Sequence, residues 1–160
     1  MLFILTFGLF TFHFTGRTAL AQAKNDKAPS FTLKLLNGGD LKSSELKGKV
    51  TVLKFMASYW PECQQEAPAV EKLYRAFKIK DVQFVGIFVR DRESEVQKFV
   101  KTHGLSFPVG LDDGRKIAGS YKFVGTPFTV VISKDGEISD RTTGPQSEKA
   151  LRAKIEKLLK

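Results

Sequence analysis

The stretch that most constrains this chain is an apolar run that turns directly into a helix carrying the only cysteine. Val50 to Met56 is apolar apart from Thr51 and Lys54, which is typical of a central strand covered on both faces. Pro61 suits the first turn of a following helix, because its missing N–H costs little there. Cys63 lies in the same turn, where the helix dipole and free backbone N–H groups favour a thiolate. The stretch therefore predicts a thiol at a strand-to-helix corner.

The rest of the chain carries further strand and helix signals before and after this corner. Alternation from Phe31 and the turn at Asn37–Asp40 predict an N-terminal hairpin, and Val82–Val89 predicts a second buried strand. A mixed sheet between helices, an α/β fold, is the expected result. The other predicted elements are helices over Pro61–Lys78, Glu93–Thr102, Asp112–Tyr121 and Ser147–Leu159, and strands at Phe107–Val109, Phe128–Ile132 and Ile138–Arg141.

The corner resembles the active site of the thioredoxin superfamily, most closely its extracytoplasmic TlpA/ResA-like branch of AhpC/TSA-related redoxins. That branch typically reads Ala-Ser-Trp-Cys-Pro-Pro-Cys, then a polar pair and Glu-x-Pro, where this chain reads Ala-Ser-Tyr-Trp-Pro-Glu-Cys-Gln-Gln-Glu-Ala-Pro. Tyr59 thus falls on the family tryptophan, Trp60 on its first, attacking cysteine and Cys63 on its second, resolving cysteine. The resemblance implies a thioredoxin fold, with a three-layer α/β/α arrangement, a central mixed sheet and an N-terminal β-hairpin extension.

A second segment supports the same resemblance. Thr126 and Pro127 directly precede the apolar run Phe128–Ile132, where a proline indicates a special turn. The segment resembles the family's Val-x-x-x-Pro-Thr, whose proline is cis and faces the active-site corner. The resemblance implies that the backbone before Pro127 pairs with a bound polypeptide as a short added strand. Tyr59, Trp60 and Pro61 are the other candidate binding residues. The two aromatic rings either hold a partner or close the old site over the cysteine, and we favour closure.

The N-terminus predicts export. Leu2–Phe14 is almost wholly apolar, and both Ala19-Leu-Ala21 and Ala21-Gln-Ala23 offer a small-x-small cleavage pattern. We expect a signal peptide over 1–23, cut after Ala21 or Ala23, a linker over 24–30 and a thioredoxin-like domain over 31–160. The protein is then secreted or periplasmic, without a membrane span after cleavage. A retained N-terminal anchor is the less favoured alternative.

Charge and the numbers of cysteines and histidines limit the kinds of partner and ligand that we expect. The net charge of +9 suggests attraction to anionic surfaces, but the lysines are scattered among acids, as on solvated faces, so no nucleic-acid partner is expected. One cysteine and two histidines give no metal-ligand spacing, so neither a metal nor another cofactor is predicted. We expect a monomer that could form an intermolecular disulfide through Cys63.

Three interpretations of Cys63 follow. A dithiol–disulfide cycle needs two thiols, so one chain cannot complete it alone. Cys63 is then a relict buried behind Trp60, a working single thiol, or a peroxide-reacting cysteine. The last rests on the Thr-Pro-x-Cys of peroxiredoxins, against Trp60-Pro61-Glu62-Cys63 here. The missing threonine and the poor match of Arg90 to the arginine of that family oppose it.

Two charged residues belong to the predicted site. Lys54 stands where thioredoxins often carry a buried acid, so it reverses the local charge and is a candidate thiolate stabiliser. Asp91 falls near an acid that ResA-like proteins place by the active site, although we favour a helix-capping role. The leading function is thiol–disulfide redox work with one thiol, on a thiol-bearing protein or extended polypeptide. The alternatives are a non-catalytic polypeptide-binding module and a single-cysteine thiol peroxidase.

Overall fold

Seven strands form one mixed sheet in the computed structural model, which describes residues 26–160. The order across the sheet is β2-β1-β5-β4-β3-β6-β7, with β3 parallel to β4 and antiparallel to β6. Every residue of β3 is buried, as its apolar run predicts. The strands are β1 (Thr32–Leu35), β2 (Asp40–Lys42), β3 (Val50–Met56), β4 (Val82–Val89), β5 (Val109–Asp112), β6 (Phe128–Ile132) and β7 (Ile138–Thr143).

Between residues 26 and 160, four α-helices accompany the sheet: α1 (Pro61–Phe77), α2 (Glu93–His103), α3 (Lys116–Ser120) and α4 (Glu148–Leu159). Local signals set their ends. Pro61 opens α1, Gly104 ends α2 in the left-handed conformation at φ 61°, and the Ser147 hydroxyl accepts from the Ala150 N–H at 3.2 Å to cap α4.

The region between α2 and β6 differs from its prediction. Strand β5 begins at Val109 instead of Phe107, and the helix predicted over Asp112–Tyr121 is reduced to a short 3-10 turn followed by α3. Gly114 and Arg115 adopt φ 64° and 59°, which interrupts the helix. The buried Asp112 carboxylate accepts from the N–H groups of Ile117 and Ala118 instead of starting a helix itself.

Two apolar cores confirm the three-layer arrangement. Residues of α1, α2 and α4 pack on one face of the sheet, around Phe77, Phe84 and Phe99. Residues of α3 and the N-terminal hairpin region pack on the other, around Phe55 and Tyr121. The fold is therefore the α/β thioredoxin fold with a β-hairpin at one edge of the sheet, as the resemblance implies.

The N-terminal segment runs along the opposite edge of the sheet, beside β7. The Ile138 N–H donates to the Asp26 carbonyl at 2.8 Å, and the Ala28 N–H donates to the Gly136 carbonyl at 2.9 Å. The predicted signal peptide and the first two residues of the predicted linker lie outside the described residues. Across residues 26–160, no helix has the length and apolar character needed to span a bilayer.

Pairing between β3 and β6 brings the two sequence motifs together. Phe55 pairs with Phe128 and Lys54 with Thr129, so the end of β3 lies beside the start of β6. The chain therefore leaves β3 for the cysteine corner next to the point where it enters β6 from the Thr126–Pro127 turn.

Candidate functional site

The corner holds Cys63 in the first turn of α1, as predicted. The Trp60 N–H donates to the Ala57 carbonyl at 3.2 Å, and the Cys63 N–H donates to the Trp60 carbonyl at 3.1 Å. These bonds turn the chain from β3 into the helix. Cys63 is a free thiol with only 1% of its surface exposed.

Burial dominates the ionisation of this thiol. It raises the pKa of Cys63, while a hydrogen bond from the Ala57 backbone, the charge of Lys54 and a hydrogen bond with the Thr126 side chain oppose the shift. The nearby Glu66 carboxylate adds to it. The pKa of Cys63 therefore lies above its ordinary range, and the helix N-terminus does not produce a thiolate at neutral pH.

The Thr126–Pro127 peptide bond is cis, as the resemblance implies. Pro127 itself is buried and its carbonyl accepts from the Gly144 N–H at 2.8 Å. Thr126 is half-buried, and within residues 26–160 its main-chain N–H and C=O have no hydrogen-bond partner. The surface part of the turn is thus the backbone before the proline, not the proline ring.

Exposed apolar side chains occur at the cysteine corner and just before this turn. Tyr59 is 56% exposed and Trp60 43%, and Val124, two residues before Thr126, is 75% exposed. The buried thiol agrees with closure of the old site, whereas the exposed rings agree with partner binding, so both roles of the aromatic pair stay predictions.

Lys54 makes a buried ion pair directly behind the corner. Its side chain is fully buried, and its ammonium donates to both carboxylate oxygens of Glu66 at 2.8 and 2.9 Å and to the Thr129 hydroxyl at 2.7 Å. Burial lowers the pKa of Lys54, and the Glu66 carboxylate opposes that shift. Glu66 thus balances the charge that Lys54 brings to the site, while Lys54 still opposes the rise in the pKa of Cys63, so its role as a thiolate stabiliser stays a prediction.

Glu66 is the site residue that the sequence reasoning missed. It lies three residues after Cys63 on α1, a spacing that places both side chains on the same helix face. Its carboxylate also accepts from the Gln146 N–H at 3.2 Å, which connects the pair to the segment before α4. The glutamate of the family's Glu-x-Pro was the available signal.

Asp91 belongs to the corner and does not cap a helix. Its carboxylate accepts from the Ser58 N–H at 3.1 and 3.2 Å and from the Ser58 hydroxyl, whereas Arg92 occupies the cap position of α2. Burial raises the pKa of Asp91, and the hydrogen bonds from Ser58 oppose that shift. The favoured capping role is therefore wrong, and Asp91 fixes the backbone between β3 and Trp60.

Neither a metal site nor the arginine of a peroxidase accompanies the thiol in the described part of the chain. Residues 26–160 contain no cluster of three or more His, Cys, Asp or Glu side chains able to hold a metal ion. Arg90 is exposed and lines a separate cleft beside Asp91, and no arginine is among the groups that shift the pKa of Cys63.

Comparisons with known proteins agree with the geometry. Residues 25–141 match the AhpC/TSA family. The thiol-disulfide oxidoreductase ResA of Halalkalibacterium halodurans is 36% identical over 87% of this chain and 80% of that protein. ResA of Bacillus subtilis is 31% identical over 84% and 74%.

Solved structures show the same likeness. A thiol:disulfide interchange protein from Chlorobium tepidum superposes with a TM-score of 0.81 at 27% identity, over 88% of this chain and all of that one. A secreted Mycobacterium tuberculosis disulfide oxidoreductase gives a TM-score of 0.73 at 29% identity, over 80% and 96%. The chain therefore belongs to the AhpC/TSA family, as a ResA-like protein of the thioredoxin superfamily's thiol–disulfide redox group that lacks the first cysteine of the usual pair.

Proposed function

We propose that this protein performs thiol–disulfide exchange outside the cytoplasm through Cys63 alone. The observation that carries the proposal is the position of the thiol: it lies in the first turn of α1, beside the cis Thr126–Pro127 turn, and the Thr126 side chain opposes the rise in its pKa. The ResA and interchange-protein relatives support the redox class of the reaction.

The exchange proceeds through a mixed disulfide. The Cys63 thiolate attacks one sulfur of a partner disulfide, forms a new S–S bond and releases the other sulfur as a thiolate. Because Trp60 stands where a second thiol would be needed, a thiolate from another molecule must then attack the mixed disulfide and release Cys63. The single thiol thus makes the second step depend on an external thiol.

Burial sets the rate of this reaction. With 1% of Cys63 exposed and its pKa raised, attack requires movement of the corner and deprotonation above neutral pH. The aromatic rings and the unpaired Thr126 backbone supply a surface on which a polypeptide partner could be held while the corner opens.

Export is part of the proposal. We infer that residues 1–23 are a signal peptide cleaved after Ala21 or Ala23, which releases the domain to a secreted or periplasmic location. One similar structure is described as a secreted disulfide oxidoreductase, which supports this location. Mass determination of the protein recovered from its native host would report the cleavage site.

Alkylation of the single cysteine tests the redox proposal. Iodoacetamide reports Cys63 alone, with Cys63→Ser as the blank. We expect slow alkylation at pH 7 that accelerates above the ordinary thiol range, and a mixed disulfide with oxidised glutathione that added thiol reverses. A folded protein that forms no mixed disulfide at any pH at which it stays folded, while the urea-unfolded chain does, would refute thiol exchange.

A binding module is the second candidate, favoured by the contrast between a buried thiol and an exposed aromatic corner. Here a polypeptide adds a strand along the Thr126 backbone and packs on Trp60, without chemistry at Cys63. A panel of fluorescent extended decapeptides provides the probe. Binding that survives Cys63→Ser and is lost in Trp60→Ala supports this function, with the exposed Ile79→Ala as the matched control.

A further inference from the structure

A second cleft lies at the end of the sheet opposite Cys63. Strand β3 begins at this cleft, which Lys49 and Thr51 line, and ends at the cysteine corner. Strand β6 runs in the opposite direction, from the Thr126–Pro127 turn to the cleft, where Ser133 and Lys134 follow it. Seven residues of extended β3 separate the two ends by roughly 20 Å. The cleft has a volume of about 520 Å³ and includes no residue of the corner.

Lysines dominate the charge at the rim of the cleft. Lys27, Lys47, Lys49 and Lys134 line it, and Asp135 is the one acid among the described residues of its lining. The Gly48 N–H donates to the Lys134 carbonyl at 3.2 Å, so three of these lysines come from two loops in direct contact.

Most of this positive charge is unneutralised. Lys47, Lys49 and Lys134 are exposed and form no ion pair with any residue from 26 to 160. Lys27 lies 3.6 Å from the Glu137 carboxylate at the edge of the cleft. A concave surface with clustered cations favours an anionic ligand.

Below the rim, the lining is partly apolar and partly hydroxylic. Phe31, Leu46, Tyr121 and Ile132 form its buried part. Four serines add hydroxyls to the lining: Ser30, Ser43, Ser44 and Ser133. The Ser43 hydroxyl accepts from the Phe31 N–H, and the Ser133 hydroxyl accepts from the Glu137 N–H. The O–H groups of these two serines therefore stay available as donors. Ammonium and hydroxyl donors above an apolar floor suit a phosphodiester attached to an apolar body.

The N-terminal sequence enters the domain at this same end. Residues 27–31 form part of the lining, and the apolar run Leu2–Phe14 is separated from Asp26 by 11 residues, which span at most about 39 Å. While that run is attached and inserted in a bilayer, the cleft cannot be far from the membrane surface. The charge of the cleft does not depend on the leader, so the attraction outlasts its removal.

We propose that this lysine-rimmed cleft binds the phosphate head group of anionic phospholipids. The domain then rests on the membrane with its lysine end, and the Trp60 corner points away toward its partners. The attraction is electrostatic and weakens as salt is raised. This inference does not rest on the redox chemistry of Cys63.

A titration with short-chain lipids, below their micelle concentration, tests the site on the full chain. Dihexanoyl phosphatidylglycerol is the probe, dihexanoyl phosphatidylcholine the neutral comparison and inorganic phosphate the free anion. Amide chemical shifts of Gly48 and Gly136 report the cleft, and the side-chain N–H of Trp60 reports the corner. We expect saturable shifts at the two glycines with phosphatidylglycerol, and much weaker binding of the other two probes.

Matched lysine variants decide between a site and a diffuse charge effect. Lys47→Gln/Lys49→Gln/Lys134→Gln should weaken phosphatidylglycerol binding by at least about tenfold. Lys98→Gln/Lys101→Gln/Lys116→Gln removes the same charge from exposed positions outside the cleft and should leave binding within about twofold. Equal loss in both variants, equal binding of the two lipids, equally tight binding of inorganic phosphate, or shifts confined to Trp60 would each overturn the proposal.

Discussion

Helix α1 carries two buried acids, Glu66 and Glu71, which differ in whether the cation that pairs with them is buried or exposed. Glu66 pairs with Lys54 at 2.8 Å, with side chains 5% and 0% exposed. Glu71 pairs with Arg75 at 2.6 Å, but the arginine side chain is 63% exposed, and the carboxylate also accepts from the Ser106 N–H and hydroxyl at 2.8 and 2.6 Å. The Lys54–Glu66 pair is therefore shielded from solvent and is called the dry pair below. The Glu71–Arg75 pair keeps its cation in water and is called the wet pair.

The difference decides how much each acid depends on its partner. An ion pair with both members buried is costly to break, because the remaining charge has no solvent. At Glu71 the backbone and hydroxyl donors remain when the arginine is removed, and water screens what is lost. The two charges that depend on each other, Lys54 and Glu66, therefore lie near Cys63. Glu71, which keeps other donors when Arg75 is removed, lies farther along α1.

The largest effect is expected at the dry pair. Among residues 26–160, Glu66→Leu leaves the buried Lys54 ammonium with the Thr129 hydroxyl as its one remaining hydrogen-bond partner, and should lower the free energy of unfolding by about 3–5 kcal/mol. Because burial lowers the pKa of Lys54, the loss should shrink as pH rises and the neutral amine becomes available. Urea unfolding midpoints at constant slope measure both.

The double variant Lys54→Met/Glu66→Leu is the control for that prediction. Replacing a buried ion pair by apolar side chains of similar volume is often neutral or stabilising, so the double variant should recover most of the loss. A double variant as unstable as Glu66→Leu would show that packing, and not the unpaired charge, causes the destabilisation.

A smaller and differently pH-dependent effect is expected at the wet pair. Burial opposes ionisation of Glu71, but hydrogen bonds from Arg75 and Ser106 outweigh it and hold the pKa of Glu71 below its ordinary value. Glu71→Gln should therefore cost about 1–2 kcal/mol at pH 7.

Measurements at low pH distinguish the loss of the Glu71 charge from a packing defect in Glu71→Gln. A depressed carboxylate pKa contributes stability above the unfolded-state value, near 4.3, and that stability is lost as pH falls through the folded-state value. The stabilities of the natural protein and Glu71→Gln should thus converge in acid. A difference that persists unchanged at pH 3 would exclude the charge-assisted hydrogen bonds as its cause.

The cysteine provides a third way to distinguish the two acids. The Glu66 carboxylate contributes to the raised pKa of Cys63, so Glu66→Gln should lower that pKa and increase alkylation severalfold at a given pH. Glu71→Gln, whose carboxylate is not among the groups acting on the thiol, serves as the matched control. Equal acceleration in both variants would point to general loosening of α1.

The sequence predicted what depends on local motifs. The strand, the Pro61 helix start, the cysteine turn and the Thr126–Pro127 turn all follow from neighbouring residues or from the family resemblance, and β3–β6 pairing then brings them together. It left the burial of Cys63 as one of three interpretations, because the helix-dipole argument considers only the first turn, whereas the pKa is set by packing from other elements.

The missed contacts join residues far apart in the chain. Lys54 and Glu66 are 12 positions apart, and Ser58 and Asp91 are 33 apart. Each side chain has an ordinary local interpretation: a charge that breaks an apolar strand, or an acid before a helix. Only the packing of α1 and β4 against the end of β3 shows which polar groups meet.

The smallest effect is expected from the exposed member of the wet pair. Arg75→Ala removes one contact to Glu71 from a side chain that is 63% exposed, and the Ser106 donors remain. The expected loss is below about 1 kcal/mol and should decrease further in 1 M salt, where the Debye length is about 3 Å. Lys72→Ala is a suitable comparison, because its 69% exposed side chain reaches Glu148 at 2.8 Å from the same helix. A cost for Arg75→Ala that equals that of Glu66→Leu would mean that exposure does not separate the two acids, and the comparison on α1 would fail.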